Sequence, residues 1–250
     1  MPKIHFTGRI PVEHEKIIQN RENTKKLNLP RVELGCSKRD GRLAVVGGGP
    51  SVSRYIEQIR QYPEVWAVNG ACAFLRGHGI DSWLFAVDPH HIVTKWAPGA
   101  SKALLCDRVD PEVFEILKGA DIRIFTVAGD EPGWIMSGSS TATIAFQLGI
   151  EQGFEFVDFY GCESSFENGS HAYQDENREH LLWVECNGRE YKTAPDFYLQ
   201  AQEMAALIRS FRNNFKHYGG GLLEAMIEDP EHDITHVSRA MMDELKPICP

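Results

Sequence analysis

Val45-Val46-Gly47-Gly48-Gly49-Pro50-Ser51-Val52 carries an apolar run into three glycines and leaves through Pro-Ser toward a helix-like segment. A strand that stops at glycines and hands over to a helix presents unpaired backbone N–H groups with no side chains in the way, where a phosphate can sit. Gly47, Gly48 and Gly49 are expected to use positive φ and to admit a ligand to the backbone, Pro50 suits the first turn of a helix, and Ser51 offers a hydroxyl beside the helix N-terminus. The turn lacks the Lys-Ser/Thr of a Walker loop, and its glycine spacing fails the dinucleotide fingerprint. A tight turn with no ligand is the alternative. Because open α/β sheets bind ligands at Gly-rich turns beyond the carboxyl ends of their strands, the residues Gly47 to Ser51 are read as a ligand site suited to a phosphate.

The pattern around this turn is that of an alternating α/β protein. Short apolar runs at Leu43–Val46, Val65–Val68, Trp83–Val87, Ala103–Cys106, Ile122–Val127 and Phe154–Tyr160 read as strands, and residues 52–61, 70–77, 110–118 and 139–152 read as helices. This predicts a Rossmann-like, doubly wound and mostly parallel sheet. In the C-terminal third, Leu182–Cys186 and Glu190–Thr193 flank Asn187-Gly188, the strongest hairpin signal in the chain. Pro195 then opens a helix expected over Asp196 to Phe215. Lys216-His217-Tyr218-Gly219-Gly220-Gly221 reads as a second short strand or turn, a glycine break and a final helix, which together can close the sheet as a last βα unit. The expected organisation is a basic N-terminal extension over 1–42 and a nucleotide-binding domain over 43–250, with 162–195 inserted as a hairpin-bearing lid.

At 250 residues the chain can bury a sizeable core, and its 42% hydrophobic and 24% charged content is ordinary for a soluble protein. No apolar stretch is long enough to span a bilayer, and Met1-Pro2-Lys3-Ile4-His5 is not a secretory signal, so a cytoplasmic location is expected. The six cysteines form no CxxC pair and read as reduced and structural. The net charge of −9 is uneven: residues 1–42 carry ten Lys/Arg against five Asp/Glu, leaving sixteen against thirty in the remainder. So acidic a body is a poor binder of polynucleotide backbone, except through the basic arm, which reads first as a solvated extension.

Further chemistry-bearing residues follow the predicted strand ends. Asn69 stands at a helix start, where a polar contact and an ordinary N-cap are both open. Asp88-Pro89-His90-His91 suits a metal, a ribose or acid/base work, yet no second carboxylate lies nearby in sequence. Ser137-Gly138-Ser139-Ser140 enters an apolar helix and can present N–H groups and hydroxyls to an anion, with Ser137 or Ser139 equally able to cap it. No Gly-x-Ser-x-Gly elbow is present to make a serine nucleophile. Beyond the last strand, Glu163 can enter the crevice, and His171 lies in a polar loop where it would serve as a general acid or base.

In their order and spacing, Val-Gly-Gly-Gly-Pro-Ser, Ala67-Val68-Asn69, Val87-Asp88-Pro89, the Ser-Gly-Ser segment and Phe159-Tyr160-Gly161-Cys162-Glu163 through His171-Ala172 resemble a known family. It is the Rossmann-like family of archaeal 6-hydroxymethylpterin diphosphokinase and flagellin glycosylation factors, with similarity to single-domain bacterial sialyltransferases. The resemblance spans roughly residues 43–175. It implies that Gly47 to Ser51 cradle nucleotide phosphates and that Ser137 to Ser140 face the transferred group. The chain departs from the family at Gly161-Cys162-Glu163-Ser164, where the glycosylation branch commonly has Gly-x-Asp-Leu, and at the single Asp88, where the kinase branch is Asp-rich. Neither His171 nor His180 matches the lid histidine of the sialyltransferases cleanly.

These readings converge on a nucleotide-donor-dependent transferase that moves a sugar to an acceptor hydroxyl. His171, Glu163 and Asp88 are its candidate catalytic groups, and Gly47, Gly48, Gly49, Pro50, Ser51, Asn69, Ser137, Gly138 and Ser139 its candidate nucleotide contacts. Magnesium-dependent diphosphate transfer from ATP with Asp88 on the metal, and a non-catalytic nucleotide-binding protein, are the alternatives. The acceptor, the metal ligands and any homo-oligomer are left open.

Overall fold

The computed structural model describes residues 14–127, 134–135, 138, 140–166, 181–210 and 215–229. Among them, one large sheet is built from β1 (Arg39–Val46), β2 (Glu64–Val68), β3 (Trp83–Ala86), β4 (Lys102–Cys106), β5 (Asp121–Val127), β6 (Trp134–Ile135) and β7 (Phe154–Tyr160). A separate antiparallel hairpin, β8 (Leu182–Cys186) and β9 (Arg189–Thr193), follows, and β10 (Phe215–Tyr218) returns to the large sheet. The helices are α1 (His14–Lys26), α2 (Ile56–Ile59), α3 (Ala71–Gly77), α4 (Glu112–Ile116), α5 (Thr141–Glu151), α6 (Pro195–Ser210) and α7 (Gly221–Glu228). The strand order is β10-β7-β1-β2-β3-β4-β5-β6, and every pairing in this sheet is parallel.

Both faces of the sheet are covered, which explains why its strands read as continuous apolar runs: Leu43, Ala44, Val45 and Val46 are all fully buried. On one face α5 packs so closely that a Cβ on Gly149 would stand 2.9 Å from Leu43 Cδ2. Trp66, Phe85 and Phe125 continue this side as a stack, with centroids 5.7 and 5.0 Å apart. The opposite face carries a polar network. Arg42 on β1 makes paired hydrogen bonds of 2.7 Å to Asp158 on β7, whose carboxylate is wholly buried. Tyr62 donates to the same carboxylate at 2.5 Å and meets the Tyr160 hydroxyl at 2.8 Å. Tyr218 stacks flat on Tyr160, with centroids 4.6 Å apart.

The doubly wound architecture expected from the alternation is present, and β10 with α7 supplies the closing βα unit. Two expected elements differ. The helix expected over 52–61 is a 3-10 turn, Pro50–Arg54, followed by the single turn of α2. Tyr55 interrupts it with φ −114° and ψ 10°, because its ring packs on Tyr160 and Tyr218, with centroids 5.6 and 5.7 Å away. The helix expected to run to Phe215 does not include that residue: α6 is described over Pro195–Ser210, and Phe215 pairs with Val157 and opens β10. The β8–β9 hairpin turns through Asn187 (φ 50°) and Gly188 (φ 68°), the two positive φ values that a type I′ turn requires. Its Leu182, Val184, Cys186, Tyr191 and Thr193 are buried, and Trp183 on the outer face is half exposed.

Residues preceding β1 are hydrogen-bonded to this body. Val32 N donates to Ile124 O, Ile124 N to Pro30 O, Asn20 Nδ2 to Arg108 O and Cys36 N to Glu151 O. Among the described residues, no helix is long and apolar enough to cross a membrane.

Candidate active site at the sheet switch point

From β1 the chain steps outward in one direction through β2 to β6, then crosses back over α5 to place β7 on the other side of β1. The carboxyl ends of β1 and β7 therefore flank the point where the strand order reverses, the crevice in which open α/β sheets bind ligands. Two sequence-predicted segments meet there. Gly47 N donates to Tyr160 O at 2.8 Å and Gly49 N to Gly161 O at 2.8 Å. Ser51 N, in the 3-10 turn, donates to Glu163 Oε1 at 2.9 Å.

The glycines are required by crowding. Gly49 has φ −63° and ψ 152°, values open to any residue, and Gly47 is not left-handed either. None of Gly47, Gly48 and Gly49 takes the positive φ expected of it, and at Gly47 and Gly49 close approach takes its place. A Cβ on Gly47 would overlap Gly161 O and lie 3.0 Å from Cys162 Sγ, and one on Gly49 would overlap Glu163 Oε2 and lie 2.6 Å from its Cδ. Gly161, by contrast, has φ 66°.

A third segment, absent from the predicted site, completes the arrangement. Gly219 and Gly220, after β10, and Gly221, the first residue of α7, all have positive φ (136°, 77° and 80°). A Cβ on Gly219 would overlap Ser51 Oγ and stand 3.1 Å from Glu163 Oε1, and one on Gly221 would stand 2.6 Å from the Glu163 Cβ. Leu223 N donates to Glu163 O at 3.1 Å and Leu222 N to Ser165 Oγ at 3.3 Å, which fastens the backbone of 163–165 to the start of α7. The signal was legible as a glycine run at a strand-to-helix junction, but only the strand order brings it to this crevice.

Glu163 is thus enclosed by both glycine turns, with 6% of its surface exposed. Burial raises its carboxyl above the ordinary value, against the opposing hydrogen bonds of Ser51 and the charge of Arg54. Its Oε2 is enclosed without a hydrogen-bond partner among the described residues. His217 was also missed. Its pairing with Phe159 turns it to the α5 face, its two ring nitrogens are enclosed without partners among the described residues, and burial pushes its pKa down to about 4.

The other predicted residues are placed as follows. Asn69 ends β2 in a left-handed conformation (φ 53°), and its Oδ1 is enclosed and unpartnered among the described residues; the cap position of α3 belongs to Gly70. Asp88 Oδ1 accepts from His90 N at 2.8 Å in a local turn. The described residues able to share a cation are His91, Asp110 and Glu112, without Asp88, and Lys16 Nζ already stands 3.7 Å from Asp110. Ser140 caps α5, accepting from Thr143 N at 3.1 Å, in place of the Ser137 or Ser139 expected there. Gly138 lies against Thr143, where a Cβ would come within 2.9 Å of its Cγ2. Ser137, Ser139, His171 and His180 lie outside the described residues. Burial raises the thiols of Cys72, Cys106, Cys162 and Cys186, the last three to about 11, 12 and 11, which keeps them protonated and unsuited to nucleophilic work.

No protein-family model matches the chain, and no curated protein matches it. Among solved structures it is similar to the MAf glycosyltransferase from Magnetospirillum magneticum AMB-1, with a TM-score of 0.62 and 13% sequence identity over 87% of this chain. The chain spans 41% of the length of that protein. At this identity the likeness is one of fold: the parallel α/β architecture described above is shared with a glycosyltransferase.

Proposed function

We propose that this chain is a glycosyltransferase-like enzyme that takes a nucleotide-sugar donor at the Gly47–Ser51 turn and transfers the sugar to an acceptor hydroxyl. The observation that carries this reading is the convergence of that turn with Gly161–Glu163 at the switch point, on a fold shared with a glycosyltransferase. Asn69, at the neighbouring strand end, and Ser137–Ser139, before α5, complete the donor contacts in this reading. The acceptor is held by the 162–195 segment. His171 takes the proton of the acceptor hydroxyl as its oxygen bonds to the sugar carbon, while the bond from that carbon to the phosphate oxygen breaks. N–H groups and hydroxyls near Gly49, Ser51 and Ser139 stabilise the departing phosphate.

Calorimetric titration with nucleoside mono- and diphosphates and their sugar esters tests the donor site. One base is expected to bind preferentially, EDTA to leave the affinity unchanged, and Gly49→Val to abolish binding in a folded protein. His171→Ala is expected to keep binding and lose sugar transfer. Absence of binding by any nucleotide at millimolar concentration overturns the reading, and loss of binding with EDTA shifts it to metal-dependent diphosphate transfer at Asp88.

A further inference from the structure

The crevice holds two glycine turns from distant parts of the chain, and a single carboxylate fills the space between them. Gly49 lacks the Cβ that would overlap Glu163 Oε2, Gly219 lacks the one that would overlap Ser51 Oγ, and Gly221 the one that would crowd Glu163 Cβ. The walls offer the Ser51 N–H, already donating to Oε1, and beside it the Ser51 hydroxyl, in a residue only 2% exposed. A backbone N–H at the start of a 3-10 turn, a hydroxyl and side-chain-free glycines form a seat for an anionic oxygen. Its present occupant fits poorly, because Oε2 is buried with nothing to donate to it.

From this geometry we infer that Gly219–Gly221 and Gly49–Ser51 form one oxyanion seat, that Glu163 occupies it as a tethered anion, and that a phosphate group of the ligand enters by displacing that carboxylate. The inference deepens the donor reading, on which it rests for the class of ligand, and adds to it a second glycine turn and a built-in competitor. The displacement needs only the Glu163 side chain to move, since its carbonyl is fixed by Leu223 N. Outside the seat lies Arg54, exposed and already acting on Glu163 through its charge, which gives the expelled carboxylate a solvated partner. A phosphate offers more acceptor oxygens than a carboxylate to the N–H and hydroxyl of Ser51.

The probe is inorganic pyrophosphate, titrated calorimetrically at fixed ionic strength into the wild type, Glu163→Gln and Gly219→Ala. Glu163→Gln keeps the shape of the seat but removes the negative charge that, once expelled, repels the incoming phosphate. It should bind pyrophosphate about tenfold more tightly than the wild type. Gly219→Ala, whose methyl enters the seat, should bind it at least about tenfold more weakly. Unchanged or weaker binding by Glu163→Gln overturns the inference. In the wild type alone, pyrophosphate should slow amide exchange at Ser51 and at Gly219–Leu223 together, and protection confined to one of the two turns also overturns it. The best nucleoside diphosphate, run in parallel, separates the two readings. If it binds without tightening in Glu163→Gln, the shared seat falls and the donor site stands. If pyrophosphate behaves as expected while no nucleotide binds better than it does, the seat stands and the donor reading falls.

Discussion

Gly49→Ala is expected to destabilise the protein through one identifiable neighbour. The backbone at this position, φ −63° and ψ 152°, suits alanine, so conformational strain contributes nothing. The new methyl overlaps Glu163 Oε2, lies 2.6 Å from its Cδ and comes within 2.8 Å of the Gly161 carbonyl carbon. The carboxylate must leave, and the 2.9 Å bond from Ser51 N is lost with it. A hydrogen bond to a charged group contributes about 1.5–3 kcal/mol and overpacking costs about 1–3 kcal/mol, while rehydration of the expelled carboxylate offsets part of the sum. The net cost is therefore about 1–3 kcal/mol. In a Glu163→Ala background only the approach to Gly161 remains, so the same substitution should cost about 1–2 kcal/mol less there. Urea unfolding of the wild type, both single variants and the double variant measures this coupling. Additivity within about 0.5 kcal/mol would refute the claim that glycine is needed at 49 to make room for Glu163.

Two further outcomes follow from buried charge. Burial raises the Glu163 carboxyl above its ordinary value of 4.5, so the folded state holds that proton more firmly than the unfolded chain; the resulting stability is complete below pH 4.5 and is lost as pH rises through the folded value. Glu163→Gln should therefore melt at a higher temperature than the wild type at pH 7 and at nearly the same temperature at pH 4, and a variant less stable at pH 7 contradicts this. Arg42→Ala strands the wholly buried Asp158 and should cost about 3 kcal/mol, whereas Asp158→Asn leaves an Arg42 side chain that is 40% exposed and can be hydrated, at about 1 kcal/mol. Denaturant midpoints in the reverse order would show that Asp158 does not depend on Arg42.

Much of the frame was legible because its determinants are local. Leu43 to Val46 and the other apolar runs read as strands because a parallel sheet covered on both faces needs nothing but apolar residues there, and Asn187-Gly188 specified its turn through its own φ preferences. The Gly47–Ser51 turn was visible for the same reason, but the purpose of its glycines was not. Local reading assigned them to positive φ, whereas Gly47 and Gly49 make room for Gly161, Cys162 and Glu163, more than a hundred residues further along the chain. The interruption of the helix at Tyr55, the choice of Ser140 as the cap of α5, and the arrival of Gly219–Gly221 beside Ser51 were likewise settled by neighbours distant in sequence or by the path of the chain into the helix. Residue preferences act over a few positions, whereas strand order is set by burying both faces of the whole sheet at once. The sequence alone therefore determined which segments become strands and turns, and only the tertiary structure decided that the ends of β1, β7 and β10 share one crevice with Glu163 at its centre.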